Sequence, residues 1–164
     1  GSFGSTNIWT QTATVNFGQS FTARPIALKG FYKYTSNVIN LVKNVPAGVT
    51  IVKDQTLDQC AIYIALAKKT YTIDNGNQST FIDFKNDENI IAYGELPSGA
   101  ATEGDGYVEF NIPLKYKNLT DQPTHIIVVC SSSKYGDYMT GGAGSTLYVD
   151  DLSLIYDGTP TIWE

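Results

Sequence analysis

The segment YVEFNIPLKYK (107–117) alternates apolar and polar side chains without a break, and this period of two is what most constrains the fold. Val108, Phe110, Ile112, Leu114 and Tyr116 share one face; Glu109, Asn111 and Lys115 share the other. PIALKGFYKYT (25–35) repeats the pattern, with Ile26, Leu28, Tyr32 and Tyr34 on one parity and Lys29 and Lys33 on the other. CAIYIALAKKTYTI (60–73) places Cys60, Ile62, Ile64 and Leu66 on one face and Ala61, Tyr63 and Ala65 on the other. HIIVVCSSS (125–133) is apolar on both faces, the pattern of a central strand covered on each side. NIIAYGEL (89–96) and STLYVDDLSLIYD (145–157) supply further strands, and 7–17 and 38–53 are weaker candidates. No segment carries a helical stripe, so the chain reads as all-β.

Turn formers separate these runs: Asn44 to Gly48 around Pro46, Asp74-Asn75-Gly76-Asn77, Pro97-Ser98-Gly99 and Gly104-Asp105-Gly106. The strand spacing is uneven. Long, unequal connections suit Greek-key crossings, so the expected architecture is a two-sheet antiparallel jelly-roll β-sandwich. Residues 1–164 read as one jelly-roll domain, with Gly1-Ser2 set aside as a cloning scar. Hydrophobic residues make up 42% of the chain, enough for a core, while charged residues reach only 16% against roughly 25% in an average soluble domain. Thr, Ser, Asn, Gly and Tyr take their place, as in many secreted and cell-surface β proteins. The net charge of −5 and the absence of any Lys/Arg run exclude nucleic-acid binding, which needs clustered cations. No apolar stretch approaches the ~18 residues of a membrane span. The two cysteines, Cys60 and Cys130, each lie in an apolar run and read as buried thiols.

Nucleophilic catalysis finds no signature. His125 stands alone at a strand start, no Gly-x-Ser-x-Gly elbow is present, and one His with two strand cysteines lacks zinc spacing. No residue is assigned a catalytic role. Glu95, Glu103, Glu109, Asp137, Asp150 and Asp151 could contribute to a glycosidase pair, but spacing along the chain singles out none. In the last strand Leu147 and Val149 are core-like at odd positions, Leu152 and Leu154 at even ones. That parity switch predicts a β-bulge at Asp150-Asp151. Two adjacent carboxylates on a bulge could ligate a structural Ca2+, which takes six to eight oxygens, or stand exposed at an edge and protect it from aggregation. The loop SSSKYGDYMTGGAGS (131–145) is the most distinctive stretch. Sugars stack C–H faces on aromatic rings and hydrogen-bond to carboxylates and amines, so Tyr135 and Tyr138 with Asp137 and Lys134 form the expected ligand site. Trp9 and Trp163, near the ends, read as plugs of the sandwich or contacts for a neighbouring domain.

RPIALKGFYKY (24–34), ENIIAYGEL (88–96), YVEFNIPLKYK (107–117) and HIIVVCSSSKYGDYMTGGAGSTLYVDDLSLIYD (125–157) together resemble the putative carbohydrate metabolism domain of Bacteroidetes surface proteins. The likeness runs from about Phe17 to Asp157 and is densest in the last third. The ending also resembles the last strand of jelly-roll carbohydrate-binding modules, in which an acidic residue binds calcium. Carried over, that role falls on Asp150 or Asp151, although residues 13–24, where the other ligands would lie, hold no acid. The resemblance implies an extracytoplasmic, lipoprotein-borne module at the C-terminal end of a longer chain, with another domain upstream. It would sit at the cell surface or in the periplasm of a Gram-negative bacterium. The expected function is non-catalytic glycan (polysaccharide) binding, with a structural or adhesin-like sandwich as the alternative and a glycoside hydrolase third.

Overall fold

The segments that are apolar on both faces lie side by side at the centre of the molecule. The computed structural model describes residues 1–10 and 12–164. In chain order its strands begin with β1 (Ser2–Asn7), β2 (Thr12–Phe17), β3 (Gln19–Ser20), β4 (Ala27–Thr35), β5 (Leu41–Val42), β6 (Ala61–Ala67) and β7 (Tyr71–Asp74). They continue with β8 (Ile90–Glu95), β9 (Val108–Pro113), β10 (Lys115–Tyr116), β11 (His125–Ser131), β12 (Thr140–Gly141), β13 (Thr146–Ile155) and β14 (Thr161–Ile162). Two short 3₁₀ turns, Gln78–Thr80 and Gly136–Tyr138, complete the regular structure. No helix among the described residues is long and apolar enough to cross a membrane.

The large sheet runs β14-β10-β8-β6-β11-β3 and is antiparallel except for β10 with β14. At its centre β6 and β11 pair from Ala61 opposite Ser131 to Ala67 opposite His125. One face carries Ile62, Ile64, Leu66 and Ile91, which pack with Leu28, Phe110 and Ile112 of the antiparallel sheet β13-β4-β9. This is the β-sandwich core. Each fully buried aliphatic or aromatic side chain there contributes roughly 1.5–3 kcal/mol. The chain passes from one sheet to the other between β9 and β10, and buried Tyr116 donates its hydroxyl to the Pro25 carbonyl at 2.6 Å.

The opposite face of the same sheet is also covered. Ala65, Ala67, Ile90 and Ile127 meet Tyr71 and Ile73 of a third sheet, β1-β2-β7, with Phe17, Phe81, Ile82 and Phe84 closing the layer. The doubly apolar reading of 125–133 thus matches its position. Segment 38–53 departs from the strand expectation: it holds only β5 and one isolated bridge from Val38 to Leu57. Pro46 removes a ladder donor and Gly48 has φ +77°, so extended pairing cannot run through it. Val108 opens β9 exposed rather than inward. Cys60 is buried, Cys130 half-buried, and both thiols are free. Burial pushes the Cys60 thiol up to about 11.

The bulge lies where the parity switch put it. Asp150 faces Phe31 and Ser153 faces Lys29, so three steps along β13 span two along β4. Asp151 takes up the extra residue in the left-handed region, φ +50°. Opposite the bulge stands Gly30, where a Cβ would come within 2.8 Å of Leu152 Cδ2 and 3.0 Å of Phe110 Cζ. Glycine there lets Leu152 lie across β4.

Candidate functional site

The 131–145 loop has Ser and Gly flanks that suggest mobility, yet its backbone is laced to the core by one carboxylate. Asp58, just before β6, is 1% exposed. Its Oδ2 accepts from Ser133 Oγ at 2.6 Å and from the Gly142 N–H at 2.8 Å, and its Oδ1 accepts from the Gln59 N–H at 2.8 Å. The Lys134 N–H donates to the Gln59 carbonyl at 2.7 Å, and Tyr34 Oη to the Ser132 carbonyl at 2.7 Å. Buried Thr140 donates to the Asn44 carbonyl at 2.6 Å, while Asn37 Nδ2 donates to the Ala143 carbonyl at 2.8 Å. A buried ion is costly unless its lone pairs are filled, and here they are filled by both ends of the loop.

On this clamped frame Lys134 and Asp137 reach solvent, while Tyr135 and Tyr138 are half-buried. Met139 ends the 3₁₀ turn in the left-handed region, φ +54°. The four residues singled out from sequence therefore share one turn. The two tyrosines are not equivalent. Tyr138 packs edge-to-face on Phe81, centroids 5.0 Å apart at 85°, so its ring helps seat the loop on the outer layer. Next to the turn a shallow recess of about 300 Å³ is lined by Asn40, Leu41, Ser133, Met139 and Gly141.

Asp137 remains solvent-exposed, but the protein around its carboxylate displaces enough water to raise its pKa by desolvation. The Tyr63 hydroxyl is raised too, first by burial and then by the Asp137 charge. Tyr63 begins a row of aromatic rings on the outer side of the central sheet. Phe84 lies 5.3 Å from Tyr63 and stacks on Tyr93 at 4.4 Å and 16°, and Tyr93 meets Trp163 at 5.9 Å and 25°. Trp163 is thus tied into the sheet's own surface, whereas Trp9 is 91% exposed and plugs nothing. Sequence reasoning missed Asp58 and this row. Asp58 had no local signal, since its partners in the loop lie 75 and 84 residues away. Tyr63 was legible as facing away from the main core, but not as the start of a row.

Asp150 and Asp151 are both exposed, and Asp150 Oδ1 accepts the Asp151 N–H at 2.8 Å. Among the described residues no group of three or more His, Cys, Asp or Glu side chains is placed to hold a metal. Of the carboxylate oxygens this pair could offer a calcium ion, Asp150 Oδ1 already accepts a backbone N–H of the bulge. Glu109 and Asp150 flank Phe31 in the β13-β4-β9 sheet, on strands either side of β4. Both are exposed, and Glu109 is tied to Lys29 at 2.8 Å.

The family model described as putative carbohydrate metabolism domain matches residues 1–155. Two solved structures share the fold. A putative glycoside hydrolase from Bacteroides thetaiotaomicron is 22% identical with a TM-score of 0.64, the match covering 91% of this chain and 48% of that one. A putative glycoside hydrolase from Bacteroides vulgatus is 23% identical with a TM-score of 0.60, covering 88% and 63%. The chain therefore spans less than two thirds of either neighbour. No curated protein matches it.

Proposed function

We propose, from the premise that this chain belongs to the putative carbohydrate metabolism domain family, that it is a non-catalytic glycan-binding module of a bacterial cell-surface protein. The observation that carries the reading is the clamped 131–145 turn, which presents Lys134 and Asp137 to solvent beside Tyr135 on a backbone fixed by buried Asp58. A preorganised loop loses little entropy on binding, and an ammonium, a carboxylate and an aromatic ring together match a sugar's hydroxyls and C–H face. The hydrolase description belongs to the two structural neighbours. A second reading, an adhesin-like contact with another protein, is favoured by Phe3, Ile8 and Trp9, exposed at 80%, 79% and 91% on and beside β1.

Affinity electrophoresis against host and plant polysaccharides tests the proposal. Binding is expected to fall more than tenfold in Tyr135→Ala with the fold intact. It is also expected to weaken on acidification through a pH above the ordinary carboxylate range, because desolvation raises the Asp137 pKa and the protonated acid no longer accepts two sugar hydroxyls. No binding to any glycan would sink the proposal and promote the adhesin reading.

A further inference from the structure

At the far end of the aromatic row, where the chain crosses between sheets from β9 to β10, lies a cleft of about 340 Å³. Its walls are Tyr93 and Glu95 of β8, Asn111, Pro113 and Lys115 from the crossing, and Trp163 just beyond β14. The crossing comes this close because β8 carries glycine at its point of approach. A Cβ on Gly94 would stand 2.3 Å from the Pro113 carbonyl oxygen, so any other residue would push the two walls apart.

The walls are held before anything binds. Tyr93 is backed by the stacked ring of Phe84 and donates its hydroxyl to Glu95 Oε2 at 3.2 Å. The Trp163 backbone N–H donates to the Tyr116 carbonyl at 2.8 Å, and the Lys117 ammonium lies 5.7 Å from the Trp163 ring centroid. Glu95, Asn111 and Lys115 are exposed around this half-buried aromatic pair. The cleft thus combines an indole and a phenol with a carboxylate acceptor, an amide that both donates and accepts, and an ammonium donor. Within the lining the Glu95 and Lys115 charges offset each other, and the Lys117 ammonium behind Trp163 is offset by the Asp87 and Asp83 carboxylates beside it, so no net charge selects an anionic ligand.

We infer that this cleft is a carbohydrate-contact site for a neutral pyranose, with Trp163 and Tyr93 as the apolar wall and Glu95, Asn111 and Lys115 as hydroxyl partners. The inference rests on the glycan-binding reading above and adds a site separate from the 131–145 turn. Tyr63, beside Asp137, and Tyr93, in the cleft, are neighbours with centroids 6.0 Å apart, so both surfaces border the same aromatic row. One polysaccharide chain touching both would gain avidity that neither contact has alone.

The test uses a Trp9→Phe background, in which Trp163 is the only indole. Neutral soluble polysaccharides and oligosaccharides are titrated while its fluorescence is read. The same ligands are run by affinity electrophoresis on Glu95→Gln, Asn111→Ala, Trp163→Ala and Tyr135→Ala variants. The expected result is a saturable shift in Trp163 emission, with affinity lowered about tenfold in Glu95→Gln or Asn111→Ala; both sites are exposed, so these variants are expected to fold even if Trp163→Ala does not. Binding that Tyr135→Ala abolishes while Glu95→Gln, Asn111→Ala and the Trp163 signal stay unchanged would overturn the cleft and leave the glycan-binding reading standing. No binding by any variant or by the parent would overturn both. Preference for a uronic-acid polymer over a neutral one would overturn the assignment of ligand class.

Discussion

Asp58 and the Asp150-Asp151 pair are acids in the same fold with opposite settings. Asp58 is 1% exposed, and its carboxylate is filled by three donors drawn from Gln59 and both ends of the 131–145 loop. Asp150 and Asp151 stand in solvent, and among the described residues the one hydrogen bond their carboxylates make closes on the bulge itself. A charge in solvent is already well solvated and gains little from the fold. A charge in the interior requires the fold to replace water, so its partners become structural necessities. Adjacency made the pair conspicuous in sequence, but burial made the single residue consequential.

That contrast can be broken by mutation. Asp58→Ala leaves three donors without their acceptor and is expected to cost about 3 kcal/mol, a fall in Tm of roughly 10 °C for a chain of this size. Calorimetry measures it, and faster amide exchange should be confined at first to the 131–145 loop. A loss below 1 kcal/mol would mean that the clamp is redundant. Asp151→Val forces a β-branched side chain into a left-handed backbone and is expected to cost ~1–2 kcal/mol, read from the urea midpoint. An unchanged midpoint would show that the bulge relaxes freely. Asp150→Ala should stay within about 0.5 kcal/mol of the parent, and millimolar calcium should leave the Tm of both proteins where it was. A saturable rise with calcium, lost in Asp150→Ala, would establish a structural metal at the bulge.

Much of the sandwich was legible because a period of two carries its own evidence. Every alternating segment of six or more residues became a strand, and the two doubly apolar segments became the paired centre of the large sheet. The bulge was legible for the same reason, since one extra residue inverts the parity of everything after it. The 38–53 segment misled because its apolar residues are scattered among Pro and Gly turns, where composition resembles a strand but backbone geometry forbids one. Of the candidate turn, Lys134, Tyr135, Asp137 and Tyr138 could be named, but not the unequal packing of the two rings, which depends on Phe81 more than fifty residues away.

The sequence alone determined the main strands of the sandwich, the inward parity along most of their length and the place of the bulge, because these follow from local alternation and local backbone preference. Only the tertiary structure decided that Asp58 would clamp a distant loop, that a third sheet would cover the outer face, and that Tyr93 and Trp163 would meet across a cleft. Those arrangements depend on contacts between residues far apart in the chain, and which partners meet is set by how the sheets stack.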